Sequence, residues 1–405
     1  MSIYDDPTVT APPPPTEAPP APDGLSEEVP AVPQILSSAE LFPNFLQEIE
    51  RNRTGTPMNI GFPCLQRIIR SALIKGLICI GAAPSIGKTA FVMQIAFSIA
   101  AARNPRNVLI FSLEMPRNEL TARDISRLTY MLPRISSAFT GEPRTTAEIL
   151  SGSKFDRDTG ERVNFSEQEQ QLITQAYGYY KQVAERIYIC ETEQQPTAEH
   201  IAAVAEKFTA DHDGEPPVIF IDYLQLIAAE DPRADERRTQ TRSTYIFKNL
   251  SKSIGDGKGT TIFAISATAR MNYYETDPEG FGKESGGIEY TADATLFMQY
   301  APAFENYTSS AKTEADRWKN KENACKAEGA KDDREIIVSI IKNRAGQRNQ
   351  YIKYIFHAKY NTYQETGVFF RSFKENEKEK KGYKIGSSKK NSDELTDDSG
   401  EPIEL

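Results

Sequence analysis

The chain has 405 residues and a formal net charge of −9, with 39% hydrophobic residues, four cysteines and three histidines. That length holds one large α/β domain with tails, or two modest domains. No apolar stretch approaches the roughly 18–20 residues of a membrane span, and the N-terminus lacks the basic and apolar regions of a secretory signal. The acidic balance excludes a broad nucleic-acid-binding surface and leaves only local contacts, in loops or in the lumen of an assembly. Cys64, Cys79, Cys190 and Cys325 show no CxxC spacing, and His200, His212 and His357 form no metal constellation. Reduced thiols in a cytoplasmic protein are therefore expected.

Residues 1–36, including "APPPPTEAPPAPDG", are proline-rich and poor in aromatic residues, and are expected to be a disordered arm. Order is predicted from Ser37. Ser37 and Glu40 form a capping box, and Leu41, Phe45 and Ile49 recur at helical spacing, so a short helix spans 37–55. The main domain is expected over 56–372. Its strand signals are "LICI" (77–80), "NVLIFSLEM" (107–115), "RIYIC" (186–190), "PPVIFIDYLQLI" (216–227), "TTIFAIS" (260–266) and "ATLFMQY" (294–300). Helical patterns alternate with them in "AFVMQIAFSIAAA", "PRNELTARDISRL", "TAEHIAAVAEKF" and "STYIFKNLSKSI". Residues 132–185 read as less regular, with a second capping box at Ser166 and Glu169. After a polar stretch at 301–334, "EIIVSIIKNR" and "QYIKYIFHAKYNTYQE" read as a β-hairpin around Ala345-Gly346. The charged segment 373–405 is expected to be disordered. Alternating strands and helices predict an α/β fold, a mostly parallel twisted sheet with helices on both faces, whose ligands sit at the strands' carboxyl ends.

"GAAPSIGKTA" (81–90) follows the first buried strand and opens the first helix of that domain. Gly87, Lys88 and Thr89 supply the end of a phosphate-binding loop, with backbone N–H groups and a helix N-terminus facing phosphate. The usual first glycine is replaced by Ala82, which suffices if its backbone angles are ordinary; a chance GKT in a turn is the alternative. "VIFID" ends in Asp222, placed to hold Mg²⁺ opposite Thr89. Tyr223 follows Asp222, so the carboxylate that orients water is not its immediate neighbour. Glu114, just past the second strand, is the candidate.

"APSIGKTAF", "IFSLEM", "IDYLQL", "KESGGIEYTAD" and "IIKNRAG" occur in this order. Together they resemble the C-terminal ATPase domain of DnaB-type replicative helicases, a RecA-like P-loop fold, in the style of phage and mobile-element members. The resemblance runs from about Leu41 to Glu365. It implies ATP bound by Ala82, Ala83, Pro84, Ser85, Ile86, Gly87, Lys88, Thr89 and Ala90, with Arg123 nearby. It implies Mg²⁺ held at Thr89 and Asp222, and Glu114 as the catalytic carboxylate. Lys342 and Arg344 would reach the γ-phosphate on a neighbouring subunit; a solvated turn is their plain alternative. Lys283, Glu284 and Gly286, with Arg270, would face single-stranded DNA in the channel of a ring, expected to be a hexamer; a surface loop is the alternative there. A primase or loader is a further implied partner.

Two departures stand out. The family's sensor strand ends in a Ser-Gln run, whereas this chain has Ser266-Ala267, which puts coupling between hydrolysis and DNA movement in question. The helical N-terminal collar of the bacterial members is not recognisable, and the helix at 38–52 resembles their linker helix. The expected function is an ATP-dependent helicase or translocase in replication. A RecA/RadA-like filament or loader ATPase, and an ATP-binding scaffold, are the rivals.

Overall fold

The computed structural model describes residues 36–54, 58–83, 85–156, 158–191, 194–230, 233–267, 287–304, 313–347 and 350–370. The proline-rich arm, the charged C-terminal segment, Pro84, Arg270, Lys283, Glu284 and Gly286 lie outside them. The chain divides into two compact units, Met1–Gly55 and Thr56–Leu405.

In the first unit, α1 (Ser38–Thr54) begins at the predicted capping box. The Glu40 carboxylate accepts the Ser37 N–H at 2.7 Å, and the Ser37 hydroxyl accepts the Glu40 N–H at 3.3 Å. Two helix-end donors are thereby satisfied. Leu41, Phe42, Phe45, Leu46 and Ile49 are all exposed.

The second unit starts with α2 (Pro63–Ile68), β1 (Gly76–Ala82), α3 (Lys88–Ala101), β2 (Val108–Ser112), α4 (Arg117–Ile135) and α5 (Thr146–Ser151). A small antiparallel pair, β3 (Lys154–Phe155) and β4 (Arg162–Val163), precedes α6 (Glu167–Ala184). There follow β5 (Ile187–Glu191), α7 (Ala198–Asp211), β6 (Val218–Asp222), α8 (Glu236–Ser253), β7 (Thr261–Ala267), α9 (Gly287–Thr291) and β8 (Ala294–Tyr300). The last elements are α10 (Ala301–Phe304), α11 (Glu314–Gly329), β9 (Asp333–Asn343), β10 (Gln350–His357) and β11 (Thr362–Phe370).

Among the described residues one nine-stranded sheet runs in the order β11-β10-β9-β8-β1-β7-β6-β2-β5. β8, β1, β7, β6, β2 and β5 are parallel, and β9, β10 and β11 continue the sheet antiparallel. Every residue of β1, β2 and β6 is buried, which is why these segments read as unbroken apolar runs. Alternate residues feed two cores. Ile78 and Ile80 pack with α3, whereas Leu77 and Cys79 pack with Phe247 and Leu250 of α8. Helix α3 is buried almost all round, as expected of a helix with little polar face. Helix α4 is fixed against it by Arg127, which is buried, bonds Asp124 at 2.7 Å and lies over the Phe97 ring at 4.9 Å.

Three segments differ from the sequence reading. The less regular stretch contains α5, β3, β4 and α6, and Thr145 with Glu148 forms a capping box that the reading passed over. The polar stretch contains two helices, α10 and α11; α11 is capped by the Thr313 hydroxyl, which accepts from the Asp316 N–H. The C-terminal hairpin is part of a three-stranded meander. Its second apolar run is two strands, because Asn361 takes the left-handed conformation (φ 51°) and turns the chain between β10 and β11.

Candidate nucleotide site

The loop between β1 and α3 lies at the carboxyl end of the parallel strands. Ala82 is its first residue and still belongs to the sheet, paired with Ala267 on one side and Met298 on the other. No left-handed angle is needed there, so the missing glycine costs nothing. The left-handed positions are Ser85 (φ 63°) and Gly87 (φ 93°). At Gly87 a Cβ would also stand 2.6 Å from the Phe356 ring, so both backbone angle and space require glycine. Helix α3 starts at Lys88, directly after Gly87. Its unpaired N–H groups and dipole favour an anion in front of the loop.

Further groups gather at this end of the sheet. The Thr89 hydroxyl donates to Asp222 Oδ2 at 2.8 Å. Lys88 Nζ donates to the Ala82 carbonyl at 3.2 Å. Ser112 and Asp222 are partners across β2 and β6, and the Leu113 N–H donates to the Asp222 carbonyl at 2.9 Å. The Ser112 hydroxyl donates to the Met115 carbonyl at 2.6 Å, closing the turn that holds exposed Glu114. Arg123 on α4 is held by Glu119 at 3.0 Å.

The electrostatics tie these groups together. Burial pushes the Asp222 carboxyl up to about 6; the Thr89 hydroxyl opposes this, Glu114 adds to it, and Lys88 and Arg123 oppose it. Burial pulls the Lys88 ammonium down from its ordinary value, against the attraction of Asp222 and Glu114. The structure thus brings Lys88, Thr89, Glu114, Arg123 and Asp222 into one charge-coupled cluster. Thr89 and Asp222 offer hard oxygen donors suited to Mg²⁺, which takes only one or two protein ligands beside phosphate and water. Among the described residues no three His, Cys, Asp or Glu side chains gather as a metal site of their own.

The sequence reading missed what supports the loop from behind. The Tyr363 hydroxyl donates to the Ile86 carbonyl at 2.6 Å, and Tyr300 and Arg334 each donate to the Ser85 carbonyl at 3.2 Å. Gln94 of α3 exchanges two hydrogen bonds with the Tyr363 backbone, at 2.7 and 2.9 Å. With the loop carbonyls engaged from behind, its N–H groups are left for a ligand. The signal was the aromatic run Tyr354, Phe356 and Tyr363 in the C-terminal strands, too general to assign without the fold.

Lys342 and Arg344 lie elsewhere. Lys342 pairs with Thr295 at the start of β8, and Arg344 follows at the next turn. The loop follows Ala82, whose partner Met298 is four residues beyond Ala294, or about 13 Å along the strand. Lys342 Nζ donates to the Tyr290 carbonyl at 3.2 Å, and Arg344 donates to the same oxygen at 3.5 Å while its guanidinium stands 3.6 Å from Asp293. The structure does not bring these two cations to their own loop.

A largely parallel sheet flanked by helices, with a GKT loop after one strand and a buried aspartate ending another, defines a RecA-like P-loop fold. Within that class the chain belongs to the DnaB-like helicase C-terminal domain family, which it matches over residues 58–365. It is 30% identical over 271 residues to the replicative DNA helicase DnaB of Geobacillus stearothermophilus, covering 65% of this chain and 52% of that one. It is 28% identical over 264 residues to the replicative DNA helicase DnaC of Bacillus subtilis (strain 168), covering 64% of this chain and 51% of that one. The chain therefore spans about half the length of these curated relatives. In fold it is similar to a solved ATPase domain, with a TM-score of 0.57 and 21% identity over 82% of this chain and 99% of that one. It is also similar to a DnaB-like replicative helicase described with its interactions with primase, with a TM-score of 0.56 and 20% identity over 82% of this chain and 67% of that one.

Proposed function

We propose that this chain is an ATP-dependent DNA helicase of the DnaB type, which translocates on single-stranded DNA during replication as a ring, a hexamer, in the cytoplasm. One observation carries the reading: the cis groups Lys88, Thr89, Glu114 and Asp222 gather at the carboxyl end of the sheet, while Lys342 and Arg344 stand at its amino end. A second subunit, in this reading, brings these two cations to the loop. In this reading Lys88 and the N–H groups of residues 85–90 hold the ATP phosphates. Thr89 and Asp222 hold Mg²⁺, which neutralises phosphate charge when bound. Glu114 orients the attacking water, and Lys342 and Arg344 of the neighbouring subunit stabilise the charge that develops at the γ-phosphate. Lys283, Glu284, Gly286 and Arg270 line the DNA path, and helix α1 lays its exposed apolar residues on the adjacent subunit. A primase or loader is a partner by the same family argument.

A second reading has its own observation. Ala267 offers no side-chain polar group at the end of β7, which favours an ATP-binding scaffold over a motor. ATPase measurements with and without single-stranded DNA, together with negative-stain imaging, decide between them. DNA-stimulated turnover and closed rings are expected. Filaments would point to a RecA/RadA-like ATPase, and turnover indifferent to DNA would point to the scaffold.

A further inference from the structure

Strands β6 and β7 pair only as far as Ile221 with Ala264. Beyond that point β6 ends at Asp222 and the chain turns through a short 3-10 segment, Leu224–Leu226. The last residues of β7 would be left without a backbone partner on that side. The side chain of Gln225 takes the place. Its Oε1 accepts the Ala267 N–H at 2.9 Å, and its Nε2 donates to the Ala267 carbonyl at 3.3 Å and to the Ser266 hydroxyl at 3.0 Å. A primary amide has the same donor and acceptor pair as a peptide unit, so it extends the ladder where the strand has stopped. On the opposite side Ala267 pairs with Ala82, the residue that opens the phosphate loop. Leu224 and Ile227 are buried and anchor the turn that presents the amide.

Only three positions separate Gln225 from Asp222, whose carboxylate accepts from Thr89. The amide therefore ties the end of β6, next to the group bonded to Thr89, to the end of β7. We propose that Gln225 is a positioning residue that couples ATP turnover to DNA, doing from the neighbouring strand what Ala267 has no side chain to do. This rests on the DNA-dependent ATPase reading above.

The test compares the parent with Gln225→Ala and Gln225→Met, the latter keeping length and bulk without the hydrogen bonds. The measurements are ATPase rates without DNA, ATPase rates with a single-stranded oligothymidylate, oligothymidylate affinity by fluorescence anisotropy, and thermal melting. The expected result is that DNA-free turnover and affinity stay near the parent's, with melting lowered by a few degrees at most in both folded variants, while stimulation by DNA falls about fivefold or more in both, the usual lower range for a coupling between two sites. Stimulation kept in either variant overturns the inference alone. An equal loss of DNA-free and DNA-stimulated turnover also overturns it, because Gln225 then only supports the fold. A parent that DNA does not stimulate removes the functional reading and this inference with it.

Discussion

At the carboxyl end of the parallel strands, the candidate groups come from three strand ends of one chain and are held in place. Asp222 is buried and bonded to Thr89 at 2.8 Å, and the loop in front of it is braced by Tyr363, Tyr300 and Arg334. At the amino end, Lys342 and Arg344 rest on one backbone carbonyl, that of Tyr290. Arg344 is half exposed, and its contacts of 3.5 and 3.6 Å are at the long limit of hydrogen bonding and ion pairing. Asp293 is itself held by Lys248 and by the Leu77 N–H, so it stays paired when the exposed guanidinium leaves. The anchor of the first end, Asp222, is buried and bonded, whereas Arg344 at the other end is exposed and held by long contacts.

The sharpest way to break this contrast is Arg344→Ala. A trans-acting arginine is worth about 10³–10⁵ in rate, so a loss of that size is expected with nucleotide affinity retained. Glu114→Gln is expected to lower turnover by about 10²–10⁴, the range of general-base assistance, again with ATP still bound. Each variant fails at a different end of the sheet. Mixed together, they should form interfaces that join an intact Glu114 to a neighbour's intact Arg344, and activity should return as subunit concentration rises. Mixtures that co-assemble yet stay inactive at every ratio would remove the trans role of Arg344. Lys88→Ala differs from both. It takes a charge off the phosphates, so turnover is expected to fall by at least about 10²–10³, in line with loss of one preorganised electrostatic contact, and a titration with a fluorescent ATP analogue should show weakened binding too.

How far these two ends could be read in advance follows from what each depends on. The phosphate loop, Glu114 and Asp222 were legible because each sits within a few residues of a strand end, and strand ends announce themselves as apolar runs that stop. The six parallel strands were legible for the same reason. The ordinary conformation of Ala82 was anticipated as a condition, and the structure meets it: the left-handed angles fall at Ser85 and Gly87. Helix α11 was not legible, because its sequence has few apolar positions and its hydrophobic contribution is slight. The split of the last apolar run into β10 and β11 turns on the single left-handed residue Asn361, which local pattern does not reveal. The brace behind the loop was least legible. Tyr363 lies 277 positions from Ile86, and only the closing of the sheet brings them together.

That brace supplies the smallest effect and the finest test of the contrast. Tyr363→Phe deletes one hydroxyl. The ring remains stacked on Phe356 with centroids 4.3 Å apart and edge-on to Phe91 at 5.1 Å, so packing is preserved. What disappears is the 2.6 Å bond to the Ile86 carbonyl. A hydrogen bond contributes about 0.5–1.5 kcal/mol net, and Tyr300 and Arg334 still hold Ser85. The loop should therefore loosen without collapsing. Part of the lost energy is expected in stability, as a melting point lower by about 1 °C. The rest is expected in binding, as a nucleotide Kd raised by about two- to tenfold, because ordering the loop then has to accompany binding. The rate at saturating ATP should stay near the parent's, since Glu114 and Arg344 are untouched. Arg344→Ala predicts the converse, with Kd preserved and rate lost. If Tyr363→Phe lowers the melting point and leaves Kd alone, the brace belongs to the fold and not to the site. If it lowers the saturated rate as deeply as Glu114→Gln does, the two ends of the sheet are less separate than their geometry indicates.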